Sequence, residues 1–203
     1  MIITGVILAA GTSSRMGATN KLLLTYRGHT IIEEVLEQLS NSKIDEILVV
    51  TGFESERIKK TLHDHMTDRA SFVFNSEYRF GRVESVRCAI GQIDGEADAA
   101  LFMVADKPRV TSGLIDRAIN RFTQDRPAIL YVETPAGRGH PIIFSKEVFG
   151  DLLRMEGDHA ANRLIAKYGD EIVELEDDAE QIDVDSEADY QRLLKQDAGE
   201  KVL

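Results

Sequence analysis

The chain has 203 residues, one cysteine (Cys88) and a net charge of −11, from 24 Lys and Arg against 35 Asp and Glu. That length fits one domain able to bury about 70% of its unfolded surface. The lone cysteine excludes an internal disulfide framework and the acidic balance argues against a nucleic-acid binder, but neither excludes a small phosphorylated ligand.

"MIITGVILAAG" lacks a basic leader region, and no segment approaches the about 18 apolar residues that a membrane span needs. A soluble cytoplasmic protein is expected, with neither nucleic acid nor membrane as partner. In chain order, Ile2–Ala10 reads as a buried strand, and the polar loop Gly11–Gly17 follows. "HTIIEEVLEQLS" reads as a helix with Ile31, Ile32, Val35, Leu36 and Leu39 on one face, started by a Thr30/Glu33 capping box. Strands are expected at Glu46–Gly52, Ser71–Asn75 and Ala99–Asp106, alternating with helices at "SERIKKTLHDH", "RVESVRCAIGQI" and "TSGLIDRAINRF".

Strands "AILYVET" and "HPIIFS" form a hairpin-like break in the pattern. Two helices follow, around "KEVFGDLLRM" and "DHAANRLIAKYG", the second closed by a C-cap at Gly169. "EIVELE" and "IDVD" read as short strands, and "SEADYQRLLKQ" as a last helix with Ser186 and Asp189 in capping-box spacing. Residues 1–195 then form one domain and 196–203 a flexible tail. Alternating β and α units with Val, Ile and Leu-rich strands imply a three-layer α/β/α fold around a mostly parallel sheet. Ligands of such sheets sit beyond the carboxyl ends of strands. That rule selects the loop after Ala10, the turn at Asp106 and the turn after Gly52.

A glycine-containing turn between strand and helix can aim backbone N–H groups at phosphate oxygens. Thr12, Ser13 and Ser14 add small donors, and Arg15 and Lys21 add charge. The spacing is not a P-loop, because five residues separate Gly11 from Gly17 and Lys21 lies four beyond Gly17. The dinucleotide fingerprint is absent too. Asp106 and Asp185 are candidate Mg²⁺ ligands, since that ion takes one or two carboxylates with phosphate oxygens and water. Asp183 reads as structural or solvated. His63 and His65 are two apart and point in different directions, so they are no metal pair, and His29 reads as an ordinary loop residue. No Ser-His-Asp or Cys-His order supports covalent catalysis.

"LAAGTSSRMGATNKLLL" resembles the signature of nucleotidyltransferases with the nucleotide-diphospho-sugar-transferase-like, Rossmann-like fold. With "DEILVVTGFESERI", "RGHPIIF", "EGDHAANRLI" and "IDVDSEADYQRLL", the order of motifs is similar to the molybdenum cofactor cytidylyltransferase branch of the MobA-like family. The resemblance implies that Leu8, Ala9, Ala10, Gly11, Thr12, Ser13 and Ser14 surround a nucleotide, with Arg15 and Lys21 on its triphosphate. Ala10, where guanylyl-transferring relatives have glycine, implies CTP. Asp106 matches the metal-binding aspartate of the family's G-D-M-P turn, and Asp185 the second aspartate of its D-I-D-T-P-E-D ending. Gly52, Ser85 and His140 fall at further binding positions, His140 in the acceptor region.

Three departures stand out. The turn reads Ala105-Asp106-Lys107-Pro108, so a lysine is placed to contact a phosphate or point to solvent. The serine-rich substrate segment is Gly81-Arg82-Val83-Glu84-Ser85, and the proline of the last motif is gone. The expectation is transfer of CMP from CTP to a molybdopterin-type cofactor with Mg²⁺, through Arg15, Lys21 and Asp106. Two alternatives stay open: transfer to a sugar or polyol phosphate, and a non-catalytic accessory holding the cofactor for a molybdenum hydroxylase.

Overall fold

The apolar run after Ile2 is a strand, β1 (Ile3–Ala9), in the computed structural model, which describes residues 1–16, 19–157 and 160–200. Next come two short strands, β2 (Thr25–Tyr26) and β3 (His29–Thr30), helix α1 (Ile31–Ser40), β4 (Glu46–Thr51), α2 (Ser55–Leu62) and β5 (Ala70–Phe74). Helix α3 (Arg82–Ile90), β6 (Ala99–Val104), α4 (Ser112–Asp125), β7 (Ile129–Thr134) and β8 (Gly137–Ser145) continue the chain. Helices α5 (Phe149–Leu153) and α6 (Ala160–Lys167), β9 (Ile172–Glu176) and α7 (Glu187–Glu200) complete it.

Seven strands form one sheet in the order β5-β4-β1-β6-β8-β7-β9. β1 pairs in parallel with both β4 and β6, while β8 runs antiparallel to its neighbours β6 and β7. The order therefore turns at β1, which places a crevice beyond its carboxyl end. Side chains of a strand alternate between faces. Ile3, Ile7 and Ala9 face the layer that contains Leu36 of α1, Ile58 of α2 and Ile115 of α4. Val6 and Ala10 face the layer of Ala89 of α3, Leu152 of α5 and Leu164 of α6. Each buried Leu or Ile contributes roughly 1.5–3 kcal/mol, and the two faces make the expected three layers. Gly5 lets α1 close on the sheet: a Cβ there would sit 2.8 Å from Leu39 Cδ2 and 2.9 Å from Ile44 Cγ1.

The α1 capping box forms, Glu33 N donating to Thr30 Oγ1 at 3.4 Å and Thr30 N to Glu33 Oε2 at 2.5 Å. The hairpin expected near residue 136 joins β7 and β8. Four readings change. The β2–β3 hairpin carries no long apolar alternation that would announce it. "IDVD" pairs with no strand, because Ile182 and Val184 are buried against Tyr26, Ile31 and Leu193 rather than laddered in a sheet. Gly169 opens a 3-10 turn (Gly169–Glu171) instead of capping a helix, and residues 158–159 of that expected helix lie outside the described residues.

The tail expected to be flexible from 196 is helical to Glu200. The reason is an ion pair. The Arg27 guanidinium, in the β2–β3 turn, grips Asp197 through Nε to Oδ2 at 2.6 Å and Nη2 to Oδ1 at 3.0 Å. Arg109 Nη1 lies 3.5 Å from Asp197 Oδ1. Burial pushes the Asp197 carboxyl up, but the bonds from Arg27 and Tyr26 and the charges of Arg27 and Arg109 together hold it below the usual carboxylate range. No described helix is long and apolar enough to cross a membrane. Asp197→Ala removes the carboxylate that grips Arg27 and lies beside Arg109. It should lower unfolding stability by about 2 kcal/mol, read as a lower urea midpoint at unchanged m; an unchanged midpoint would show that the pair does not anchor α7.

Candidate active site

An open cleft of about 400 Å³ lies beyond the carboxyl ends of β1 and β6. Strand alternation sends Leu8 and Ala10 to its wall. It sends Ala9 the other way, into the core under α1, where it is 1% exposed. Ala9 is thus a core residue and not the cleft residue expected. Gly11, Thr12, Ser13, Ser14 and Arg15 make one wall. Ser13 adopts a left-handed φ of 51°, and its carbonyl accepts from Met16 N at 2.9 Å, folding the loop back on itself. Ser13 Oγ also accepts from Lys21 N at 3.3 Å, which ties the loop to the next turn. A Cβ on Gly11 would meet nothing within 4 Å, so the room beside it is cleft space. Gly17 lies outside the described residues.

Lys21 starts a 3-10 turn (Lys21–Leu23) capped by Asn20, whose Oδ1 accepts from Leu22 N at 3.1 Å. Its ammonium sits between two carboxylates, 2.5 Å from Asp106 Oδ2 and 2.7 Å from Asp185 Oδ1. Arg15 pairs with the other oxygen of Asp185. Asp106 follows β6. Asp185 is brought to it by a main-chain bond, Val184 N to Asp106 O at 3.1 Å. Burial alone would lower the Lys21 pKa, but the charge of Asp106 and the bonds to both carboxylates hold it above the ordinary lysine value. The bond from Lys21 holds Asp185 below the usual carboxylate range.

Asp106 Oδ1 is buried and has no hydrogen-bond partner among the described residues. A buried carboxylate oxygen left unpaired is unfavourable. Two hard carboxylates, one of them with an orphaned oxygen, fit a divalent cation such as Mg²⁺ or Mn²⁺. Lys107 neither faces a phosphate site nor points to solvent. It is 8% exposed and pairs with Asp183 at 2.9 Å, which gives Asp183 a structural role.

The facing wall is one the sequence only flagged as unusual. Tyr78, Arg79, Gly81, Arg82 and Ser85 line it, from the 3-10 turn Tyr78–Phe80 and the start of α3. Gly81 has φ 111°, a conformation that suits glycine, and turns the chain into α3. Ser85 Oγ accepts from Asn75 Nδ2 at 3.0 Å. Gly52 is not on the cleft wall. A Cβ there would lie 2.6 Å from Tyr78 Cβ and 2.8 Å from Ala10 Cβ, so Gly52 is what lets Tyr78 reach the cleft. The cleft as a whole carries Arg15, Lys21, Arg79 and Arg82 against Asp106 and Asp185. Four cations against two carboxylates, in a chain of net charge −11, make the cleft a local anion site.

His140, on β8, also lies off the cleft wall. Its Nδ1 donates to Phe102 O at 3.1 Å, and its backbone N donates to Gln181 Oε1 at 2.8 Å. Burial drives its pKa down to about 4, with Lys107 and Arg82 adding to the effect.

Compared with known proteins, residues 5–172 match the model of the MobA-like NTP transferase domain. That match ends before Asp185, so the second carboxylate rests on geometry. The bifunctional protein GlmU of Shouchella clausii is 30% identical over 116 residues, 57% of this chain and 24% of that protein. The chain spans about a quarter to a third of the length of such curated relatives. The crystal structure of Rv0371c from Mycobacterium tuberculosis superposes with a TM-score of 0.84 at 30% identity, covering 96% of this chain and 98% of that one. That protein has also been crystallised with manganese. A CMP:2-keto-3-deoxy-manno-octonic acid synthetase complexed with CTP shares the fold at a TM-score of 0.82 and 14% identity, over 98% of this chain and 100% of that one.

Two outcomes are expected. Lys21 stands between the carboxylates, so Lys21→Met should strengthen Mn²⁺ binding in the absence of nucleotide, whereas Asp106→Asn should weaken it at least about tenfold. The free-Mn²⁺ signal in electron paramagnetic resonance reads both, and tighter binding by Asp106→Asn would exclude the carboxylate as a ligand. His140 should stay neutral until about pH 4 in NMR titration. Because the unfolded chain takes up that proton at a higher pH, its contribution to stability should fall away between about pH 6.5 and 4. His140→Gln should flatten that loss.

Proposed function

The chain belongs to the family of MobA-like NTP transferase domains, and from that membership we propose that it transfers CMP from CTP to the terminal phosphate of a molybdopterin-type cofactor, releasing pyrophosphate. The observation that carries nucleotidyl transfer is the meeting of Lys21, Asp106 and Asp185 beside the loop 10–15. CTP as donor is supported by Ala10 on the cleft wall and by the CTP held in a protein of the same fold. The molybdopterin acceptor is supported by the order of motifs in the sequence. A molybdenum hydroxylase as receiver of the product belongs to the same proposal.

In the reaction an acceptor phosphate oxygen attacks the α-phosphorus of CTP. A P–O bond forms there as the bond to the β-phosphate oxygen breaks, and pyrophosphate departs. The attacking phosphate is already ionised at neutral pH, so the protein needs no base. This chain's part is alignment, which contributes up to roughly 7–11 kcal/mol, and neutralisation of charge. Backbone groups and hydroxyls of Gly11–Ser14 line the triphosphate. Lys21 moves its hydrogen bonds from carboxylates to phosphate oxygens, and Arg15 covers the rim. Mg²⁺ held by Asp106 and Asp185 would neutralise charge on the phosphates. The manganese complex of Rv0371c supports a divalent ion.

A second reading, a sugar or polyol phosphate as acceptor, is favoured by one observation. Arg79 and Arg82 stand on the facing wall, Arg82 within the segment that departs from the resembled branch, and two guanidinium groups suit a compact anion. A purely accessory role is disfavoured by the intact set of two carboxylates and a lysine.

Pyrophosphate release with each NTP, Mg²⁺ and each acceptor class tests the proposal. Release from CTP only with the molybdenum cofactor is expected. Release with a sugar or polyol phosphate instead moves the assignment to the second reading. Tight cofactor binding without release under any NTP would establish the accessory role. Asp106→Ala should reduce turnover at least about a hundredfold with unchanged circular dichroism, and full turnover in that variant would remove Asp106 from the chemistry.

A further inference from the structure

Three side chains that do not line the cleft converge where β3 meets α1. His29 is exposed on β3, Glu33 stands in the first turn of α1, and His65 ends the 3-10 turn (His63–His65) after α2. One ligand atom from each lies within 4.8 Å of the other two. His65 Nε2 is 3.1 Å from Glu33 Oε1, and the two imidazoles meet edge to face at 6.0 Å between centroids. Adjacent His63 pairs instead with Asp64. The partners of His65 come from elsewhere in the chain, and His29, expected as an ordinary loop residue, stands on β3.

A plain His–Glu ion pair accounts for His65 but not for His29. A metal ion accounts for both. Two neutral imidazoles and a carboxylate suit Zn²⁺ or a similar first-row ion rather than the harder Mg²⁺. The Glu33 carboxylate is already oriented for this. Its Oε2 accepts from Thr30 N in the capping box, which leaves Oε1 toward the imidazoles. Such outer bonds fix a ligand's direction at metal sites. The elements beneath are rigid, with Ile31, Ile32, Ile58 and Leu62 fully buried. Ligand atoms around a tetrahedral Zn²⁺ stand about 3.3 Å apart, from bonds of about 2.0–2.1 Å. Rotation of two exposed imidazoles closes the difference.

We propose that His29, Glu33 and His65 form a surface site for a zinc-class ion, distinct from the Asp106 and Asp185 carboxylates, that fastens α1 to the turn after α2. Water completes the coordination. The unfolded chain has no such arrangement, so the ion raises thermal stability by mass action.

The test is calorimetric titration of the full chain with Zn²⁺ at pH 7.5 in excess Mg²⁺, together with thermal melting. One equivalent is expected to bind and to raise Tm by at least about 3 °C. His65→Ala and Glu33→Gln should each weaken binding at least about tenfold. Glutamine at Glu33 still completes the capping box, so that variant keeps the helix start. Asp106→Ala should bind Zn²⁺ as the parent does. The proposal is overturned if the parent takes up no Zn²⁺ at about 100-fold the protein concentration, if His65→Ala and Glu33→Gln both bind like the parent, or if affinity is lost in Asp106→Ala instead.

Discussion

The ammonium of Lys21, held between Asp106 and Asp185, joins parts of the chain 85 and 164 residues apart. Nothing local forces those three residues together. The loop after β1 supplies the lysine, the turn after β6 supplies one carboxylate, and a stretch packed under α7 supplies the other. Two carboxylates this close repel unless a cation sits between them. In the free protein that cation is the lysine. The arrangement gives the cleft a cation pole whose occupant can be exchanged, since a divalent ion and an anionic substrate together offer each charged group a new partner.

The parts of the fold that follow from local pattern were readable from the residues. β1, β4 and β6 are nearly continuous Val, Ile, Leu and Ala, and such runs belong to strands covered on both faces. The α1 capping box was plain in Thr30 and Glu33. Harder features depend on tertiary contacts. Ile182 and Val184 alternate with acids just as a strand does, yet they pack against Tyr26 and Leu193 and meet no ladder. Asp197 looked like a tail residue because its partner, Arg27, is far away in sequence.

The site divides along the same line. Loop 10–15, Lys21, Asp106 and Asp185 were legible because each follows or flanks a recognisable element. Ala9 was misplaced by treating a motif as a continuous surface, although strand alternation turns every second side chain away. Gly52 was assigned a ligand when its missing Cβ serves Tyr78. The Tyr78–Arg82 wall carried no pattern of its own. Its only signal was two arginines beside Gly81, and only the fold shows that they face the phosphate loop. Family membership and the cation pole together make nucleotidyl transfer the natural use of this cleft. The acceptor depends on the wall that departs most from the resembled branch.

The main-chain bond from Val184 to Asp106 has a consequence for biogenesis. Asp185 is delivered by a stretch that follows every strand of the sheet in sequence and packs against α7 through Ile182, Val184 and Leu193. A nascent chain can therefore complete the sheet, the phosphate loop and Asp106 while the cation pole is still half built. Domains fold as units, so the cation pole is complete only when the stretch carrying Asp185 and α7 have packed together.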